Sequence, residues 1–317
     1  MYKIIISMFI LCTTMLSAKN ISPITTIEAS GLVSDFVEDA GYLYVATDAG
    51  VVDIIDLGTQ KIVRQINFEP MKISTGEYVP THIHSVDRFQ GKTLLVTSDI
   101  SAYRNVWIYD GKVLKKIIDE KKRMMPKRAY FTLEGQILFG TFGSDVTLYD
   151  DKENYKLYNT HISESTMGGM ILSQDKKKMV ISDESGTVRL LDVKSSAVEK
   201  VFSSEHVDNV YRVAYSNGII ITAGQDRRVG VYTENKNPYH IKSDFLVYCV
   251  GLSPSGRTGA YSSGLKHHLQ LFNTENGKKT DLLTGHFATP NKIMFINEHS
   301  IISSGDENRI FFWKIDE

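Results

Sequence analysis

Cysteine is nearly absent from this chain. Among 317 residues only Cys12 and Cys249 are cysteine, and Cys12 lies in an N-terminal apolar stretch that reads as a removable leader. The remainder then holds one thiol, so no intramolecular disulfide can form, and stability must come from packing and strand pairing. A bacterial periplasm, where disulfides are optional, suits such a chain better than a eukaryotic extracellular space. Cys249, within the mostly apolar run Phe245 to Leu252, reads as a small buried apolar side chain. An excess of one charge is also missing. Lys plus Arg number 36 against 37 Asp plus Glu; without Lys3 the balance is 35 to 37, a net charge of −2. That balance speaks against a nucleic-acid or anionic-lipid partner. No Cys-x-x-Cys-His, Gly-x-Ser-x-Gly or Gly-rich phosphate cradle before a helix occurs, so no covalent haem, hydrolase elbow or nucleotide site is expected. No cofactor and no catalytic residue are predicted.

One apolar run stands out. Lys3 gives a short basic region, Ile4 to Leu16 is apolar apart from Ser7, Thr13 and Thr14, and small Ser17-Ala18 precede polar Lys19-Asn20. Residues 1–18 read as a secretory signal peptide, too short for a comfortable membrane span. Retention as an uncleaved anchor is the alternative. Leu11 before Cys12 argues against lipoprotein processing, which wants a small residue there. The expected product is residues 19–317, periplasmic and monomeric, with no membrane insertion after cleavage.

What the chain has in plenty is one short strand, seven times over. The copies begin at Val52, Val106, Val146, Val188, Val229, Leu269 and Ile310, at intervals of 54, 40, 42, 41, 40 and 41 residues. A period in the low forties with about four strands per unit marks a β-propeller blade. One unit cannot bury its own apolar face, so the reading is a single all-β ring of seven blades. The fifth repeat shows the scheme: Val210 to Tyr215, the turn Ser216-Asn217-Gly218, Ile219 to Thr222, Val229 to Tyr232, then an outer strand Tyr239 to Lys242. The sixth follows from Val247 to Leu252. The seventh stops at its third strand, while Ile21 to Ile27 forms an orphan strand near the start. If the orphan supplies the missing outer strand, N- and C-terminal strands close the ring within one blade and leave no exposed sheet edge.

The repeats resemble WD40 repeats over essentially the whole of residues 19–317. Glu205-His206, Val210, Val213, Thr222, Gly224, Asp226, Val229, Val231 and Tyr232-Thr233 fall at that family's spacings in the fifth repeat. Gly285-His286, Ile293, Phe295, Ser303-Ser304-Gly305-Asp306 and Trp313-Lys314 do so in the seventh. The resemblance implies a hydrogen-bonded network inside a blade, of His206, Thr222, Asp226 and Tyr232 in one and His286, Ser303, Asp306 and Trp313 in the other. A signal peptide, a single ring and a Lys/Ile-rich composition also resemble the periplasmic WD40-like accessory protein of the periplasmic nitrate reductase system. That likeness implies a role in assembling or supporting the reductase.

Candidate chemistry is sparse. His82 and His84, two apart on an extended strand, project together and could begin a metal site, but further ligands are not near in sequence. The competing reading gives one of them the blade-network role and leaves the other at the surface. Met124-Met125 offers soft sulfur without His or Cys nearby, so an interaction surface or plain loop is preferred. Gly168-Gly169 reads as a loop or a close-packed strand start. The innermost strands begin with apolar or singly polar residues such as Val33, Ile83 and Val210, while acids sit in turns, as at Glu38-Asp39, Asp183-Glu184 and Asp306-Glu307. A propeller enzyme needs acids or polar ligands converging on its channel. The reading is therefore a non-catalytic binding scaffold; the alternative is an enzyme or a small-ligand or metal binder using the central channel.

Three irregular connections mark where a partner would dock. They are the long loop Asn67 to Thr81 with Met71 and Tyr78, the connection Asp99 to Asn105 with Tyr103 and Arg104, and the basic segment with Lys121, Lys122, Arg123, Lys127 and Arg128. In a WD40-like ring all three open onto one face around the second blade. Tyr, Arg and Met are enriched at interfaces; tolerated surface insertion is the other reading. The expected partner is another periplasmic protein, which the second resemblance implies to be a component of the nitrate reductase system.

Overall fold

A computed structural model describes residues 18–233 and 236–316, so the leader read over residues 1–18 lies, save Ala18, outside the described residues. Seven blade sheets follow one another along the chain, each built on antiparallel strands in chain order, with N-terminal segments added to the sixth and seventh. Their innermost strands are Val33–Asp39, Ile83–Phe89, Pro126–Phe131, Met167–Leu172, Val210–Ser216, Val250–Leu252 and Pro290–Phe295. The second strands, such as Tyr42–Thr47 and Ile137–Thr141, are buried on both faces because a neighbouring blade covers each side. That is why they read as unbroken apolar runs. Outer strands such as Lys61–Asn67 meet water and are polar along most of their length.

The apolar core is divided among the blade interfaces. Phe131, Phe139 and Tyr149 of blade three pack on Leu94, Val96 and Val106 of blade two. Phe272 and Tyr261 of blade six pack on Val229 and Val231 of blade five. Ile302, Ile310 and Phe312 of blade seven pack on Phe36, Leu43 and Ile55 of blade one, which closes the circle. Each blade thus depends on both neighbours, and none can be removed without exposing two apolar faces.

Closure differs from the single orphan strand expected over Ile21 to Ile27. Asn20–Ile21 pairs in parallel with the outer strand of blade six, Lys279–Leu283. Thr25–Glu28 pairs antiparallel with Arg309–Lys314 and completes blade seven. Pro23 separates the two segments, because a residue without an N–H cannot continue a ladder. Blade six also departs from expectation: its inner strand starts at Val250, not Val247. The N–H groups of Tyr248 and Cys249 meet the Ser262 hydroxyl instead, at 2.8 and 3.3 Å. The loop after Ile66 contains an unanticipated hairpin, Met71–Lys72 against Tyr78–Val79.

Inside the blades, His206 bonds the Asp226 carboxylate through Nδ1 at 3.0 Å and Thr222 Oγ1 through Nε2 at 2.6 Å. Tyr232 is buried beside them, but its hydroxyl finds no partner among the described residues. In blade seven the acid is not the one expected. His286 Nδ1 lies 3.0 Å from Glu307 Oε1, while Nε2 reaches Ser303 Oγ at 2.8 Å, to which Trp313 Nε1 donates at 2.8 Å. Asp306 instead accepts from Asn291 Nδ2 at 3.3 Å, facing the channel. The longer glutamate one residue on reaches the imidazole and also accepts from the N–H groups of Phe287 and Ala288. Trp107 Nε1 makes the equivalent bond to Thr97 Oγ1 in blade two, at 3.0 Å.

Deleting residues 19–29 should expose the edge of Arg309–Lys314 and produce concentration-dependent association with a lowered Tm. Deleting only residues 19–22 removes the parallel add-on and should leave the ring closed and monomeric by light scattering. Glu307→Ala should cost about 1–3 kcal/mol by orphaning His286. Asp306→Ala, at an exposed position, should stay within about 0.5 kcal/mol by denaturant titration.

Candidate functional site

The innermost strands share a backbone irregularity that shapes the channel. In six blades the pairing with the second strand skips one residue: Ser34, His84, Lys127, Gly168, Tyr211 and Asn291. A β-bulge re-aims the side chains that follow it, so two consecutive residues turn toward the ring axis. The skipped residues line the mouth of the channel. Arg128, Arg212 and Lys292, each one residue further on, line a cavity of about 170 Å³ with Tyr130 and Cys249.

Asp35 occupies the same place in blade one. One oxygen takes Arg128 Nη1 at 2.5 Å, and the other takes Lys292 Nζ at 2.5 Å. The Val86 N–H donates to it as well, at 3.1 Å. Burial pushes the Asp35 pKa up, but the two cations and the hydrogen bonds outweigh that and hold it far below the ordinary carboxylate value. Asp87 shows the opposite balance. It accepts from the Phe131 N–H at 2.7 Å and has one cation, Lys176, at 3.4 Å. There burial prevails and its pKa is raised.

The mouth is crowded with positive charge. Burial lowers Arg104 to about 10 and Lys127 to about 8, with nearby cations, Arg128 among them for both, lowering each further. Arg104 donates to Pro126 O at 3.0 Å and stands over the Phe142 ring at 4.7 Å; Lys127 donates to Met167 O at 2.5 Å. His82 and His84 do project together, with ring centroids 4.0 Å apart. Neither plays the blade-network role or lies free at the surface. His82 pairs with Ser34 Oγ at 2.8 Å and His84 with Ser98 Oγ at 2.7 Å, both beside the channel. Burial, then Arg104, depress His84 to about 3, so it stays neutral. Among the described residues no group of three or more His, Cys, Asp or Glu is disposed to hold a metal.

These positions redraw the proposed docking face. Tyr78 is 67% exposed at the hairpin, with Lys72 Nζ 5.9 Å from its ring centroid and Met71 half-buried. Tyr103 is half-buried; Lys121 and Arg123 are exposed. Lys122 folds back to the Tyr149 hydroxyl at 2.6 Å. Arg104, Lys127 and Arg128 are not loop contacts: they begin strands, and the bulge turns Lys127 and Arg128 inward. Arg128 is 9% exposed. The inner strands do begin with apolar residues such as Val33, Ile83 and Val210, but charged residues follow them into the channel. Their signal lay in the sequence, because Asp35, Arg128, Arg212 and Lys292 each stand two residues after a buried apolar strand start. Gly168 is a close-packed strand start, where a Cβ would lie 1.9 Å from Val210 O.

Comparison with known proteins agrees with this architecture. No protein-family model matches the chain. Actin-interacting protein 1 of Caenorhabditis elegans is 24% identical over 213 residues, spanning 63% of this chain and only 34% of that relative. The β-propeller domain of Cps50 (Swd1) from Myceliophteria thermophila superposes with a TM-score of 0.73 at 14% identity, covering 93% of this chain and 99% of that domain. Raptor from Chaetomium thermophilum gives 0.71 at 13%, covering 93% of this chain and 29% of Raptor. The fold is a WD40-like seven-bladed propeller.

Asp35→Asn should cost about 3 kcal/mol, since it leaves buried Arg128 and half-buried Lys292 without their counter-charge. Because the folded pKa of Asp35 lies below its unfolded value, its contribution is complete above about pH 4 and is lost as pH falls through the folded pKa. Acid titration of wild type and Asp35→Asn, followed by circular dichroism, should show curves that converge only on the acid side.

Proposed function

We propose that this protein is a non-catalytic binding platform, exported through the leader of residues 1–18 and acting in the periplasm. The observation that carries the docking face is the hairpin Met71–Lys72/Tyr78–Val79, which leaves the blade ladder and holds Tyr78 out into water. Phe68 anchors its base edge-on against Trp107, with ring centroids 5.4 Å apart. A partly fixed loop loses less conformational freedom on binding than a floppy one. Exposed Lys121 and Arg123 on the same face favour a partner with an acidic surface. The relative named above is itself called an actin-interacting protein, and the sequence resemblance points to a component of the periplasmic nitrate reductase system as client. A second reading, a small-ligand binder, is favoured by the charged channel.

Fractionation should recover a mature form beginning near Lys19 in periplasmic extract. Pull-down from that extract, followed by mass spectrometry, should yield a reductase component. Tyr78→Ala should weaken its recovery by ~2 kcal/mol, roughly thirtyfold, without moving the melting temperature. Recovery unchanged in both Tyr78→Ala and the Lys121→Glu/Arg123→Glu variant would place the interface elsewhere.

A further inference from the structure

Arg212 is the cation of the channel that the fold leaves over. Asp35 saturates Arg128 and Lys292, and backbone oxygens take Lys127 and Arg104. The Arg212 side chain forms no hydrogen bond and no ion pair among the described residues, and it lines the deep cavity and the mouth alike. A guanidinium presents five donors, and half-buried Arg212 turns them toward the channel with no protein acceptor among the described residues. Its neighbours make the deficit worse. Among the described residues, Arg104, Lys127, Arg128, Arg212 and Lys292 gather around the carboxylate of Asp35, while the other buried inner-strand acid, Asp87, is taken by Lys176 and the Phe131 N–H. Asp48, Glu184 and Asp306 stand at the rim, where Asp48 accepts from the Leu32 N–H and Asp306 from Asn291. Among the described residues neither neighbouring inner strand pairs an acid with Arg212: blade four offers Gly169 and blade six Cys249 in the same layer.

We propose that the channel mouth is a binding site for a small oxyanion, a carboxylate or phosphate group carried by a small molecule, with Arg212 as its bidentate anchor. The mouth on the side of blades one to three encloses about 340 Å³, lined by Ser34, His82, His84, Arg104, Lys127 and Arg212. That space holds a phosphate or a small polycarboxylate and excludes a folded segment. The planar fork of Arg212 matches two oxygens of either group. Arg104 and Lys127 add charge without surrendering their present bonds, and neutral His82 and Ser34 add hydrogen-bonding atoms at the rim. On the opposite wall Tyr211 and Tyr248 stack at 5.7 Å between centroids, a flat apolar surface for the remainder of the molecule. Burial and the neighbouring Arg128 already lower the Arg212 pKa to about 10, so an anion would relieve a repulsion that the protein alone does not offset. The site is independent of the hairpin face, and the two readings fail separately.

Isothermal titration calorimetry at low ionic strength tests it, with inorganic phosphate and citrate as separate probes. One of the two should saturate at one site per chain, and which one does identifies the group. Arg212→Met should weaken that binding at least tenfold, while Lys121→Met, in the outer loop, leaves it unchanged. The ligand-free Arg212→Met protein should melt at or above wild type, since the variant removes an unpaired cation. If that variant fails to fold, Lys127→Gln decides instead, with a severalfold loss expected. Absence of saturation with both probes overturns the proposal, as does wild-type affinity in the deciding variant. Failure of small anions to bind together with loss of the pulled-down partner in Arg212→Met would make the occupant an acidic side chain of that partner, which also overturns it.

Discussion

Asp35 joins the inner edges of four blades through two oxygens: its own strand in blade one, the Val86 N–H of blade two, Arg128 of blade three and Lys292 of blade seven. A buried carboxylate costs several kcal/mol of lost hydration, and one cation seldom offsets it. Asp87 illustrates this, with a single lysine at 3.4 Å and a pKa that stays raised. Two cations at 2.5 Å reverse the balance at Asp35. The centre of the ring is therefore stitched on one side by a charge cluster that tolerates loss of neither sign.

The other side of the channel is held by different means. Between blades four and five the Ser182 hydroxyl donates to Val210 O at 2.9 Å and accepts from the Gly169 N–H at 2.9 Å. Backbones approach there so closely that any side chain at Gly168 would collide with Val210. A layer built from Asp35, Arg128, Arg212 and Lys292 thus places its only acid far around the ring from Arg212. Seven copies of one unit have become electrically unequal, and the surplus charge follows from where the acid lies rather than from the net charge of the protein.

Much of the fold was legible because its signals are local and repeated. The period, the turn residues and the apolar third strands mark blades whatever their neighbours are, and the resemblance to WD40 repeats implied the fifth-blade triad of His206, Thr222 and Asp226. Three things were not legible. Pro23 splits the closing segment between two blades, which needs knowledge of which edge each half meets. Glu307 displaces Asp306 from the imidazole because reach, not position, selects the acid. The bulges turn Lys127 and Arg128 out of a basic run and into the channel, because one skipped residue reverses strand alternation.

That last point separates two kinds of charge that look alike in the chain. Lys121 to Arg128 contains five cations, yet Arg123 reverses direction in the left-handed region, φ 51°, and three residues later the chain is strand. Before the turn, Lys121 and Arg123 sit in water, where salt screens them beyond about 8–10 Å, so they act on the rate of encounter and little else. After it, Lys127 and Arg128 lie among protein atoms, where attraction and repulsion persist and decide pKa values and stability. The backbone between them is pinned, with Arg104 N–H on Met124 O at 3.1 Å and Phe142 N–H on Met125 O at 3.2 Å. Outer loop and channel are therefore joined through a fixed hinge of main chain. Substitutions in one should add to, rather than couple with, substitutions in the other.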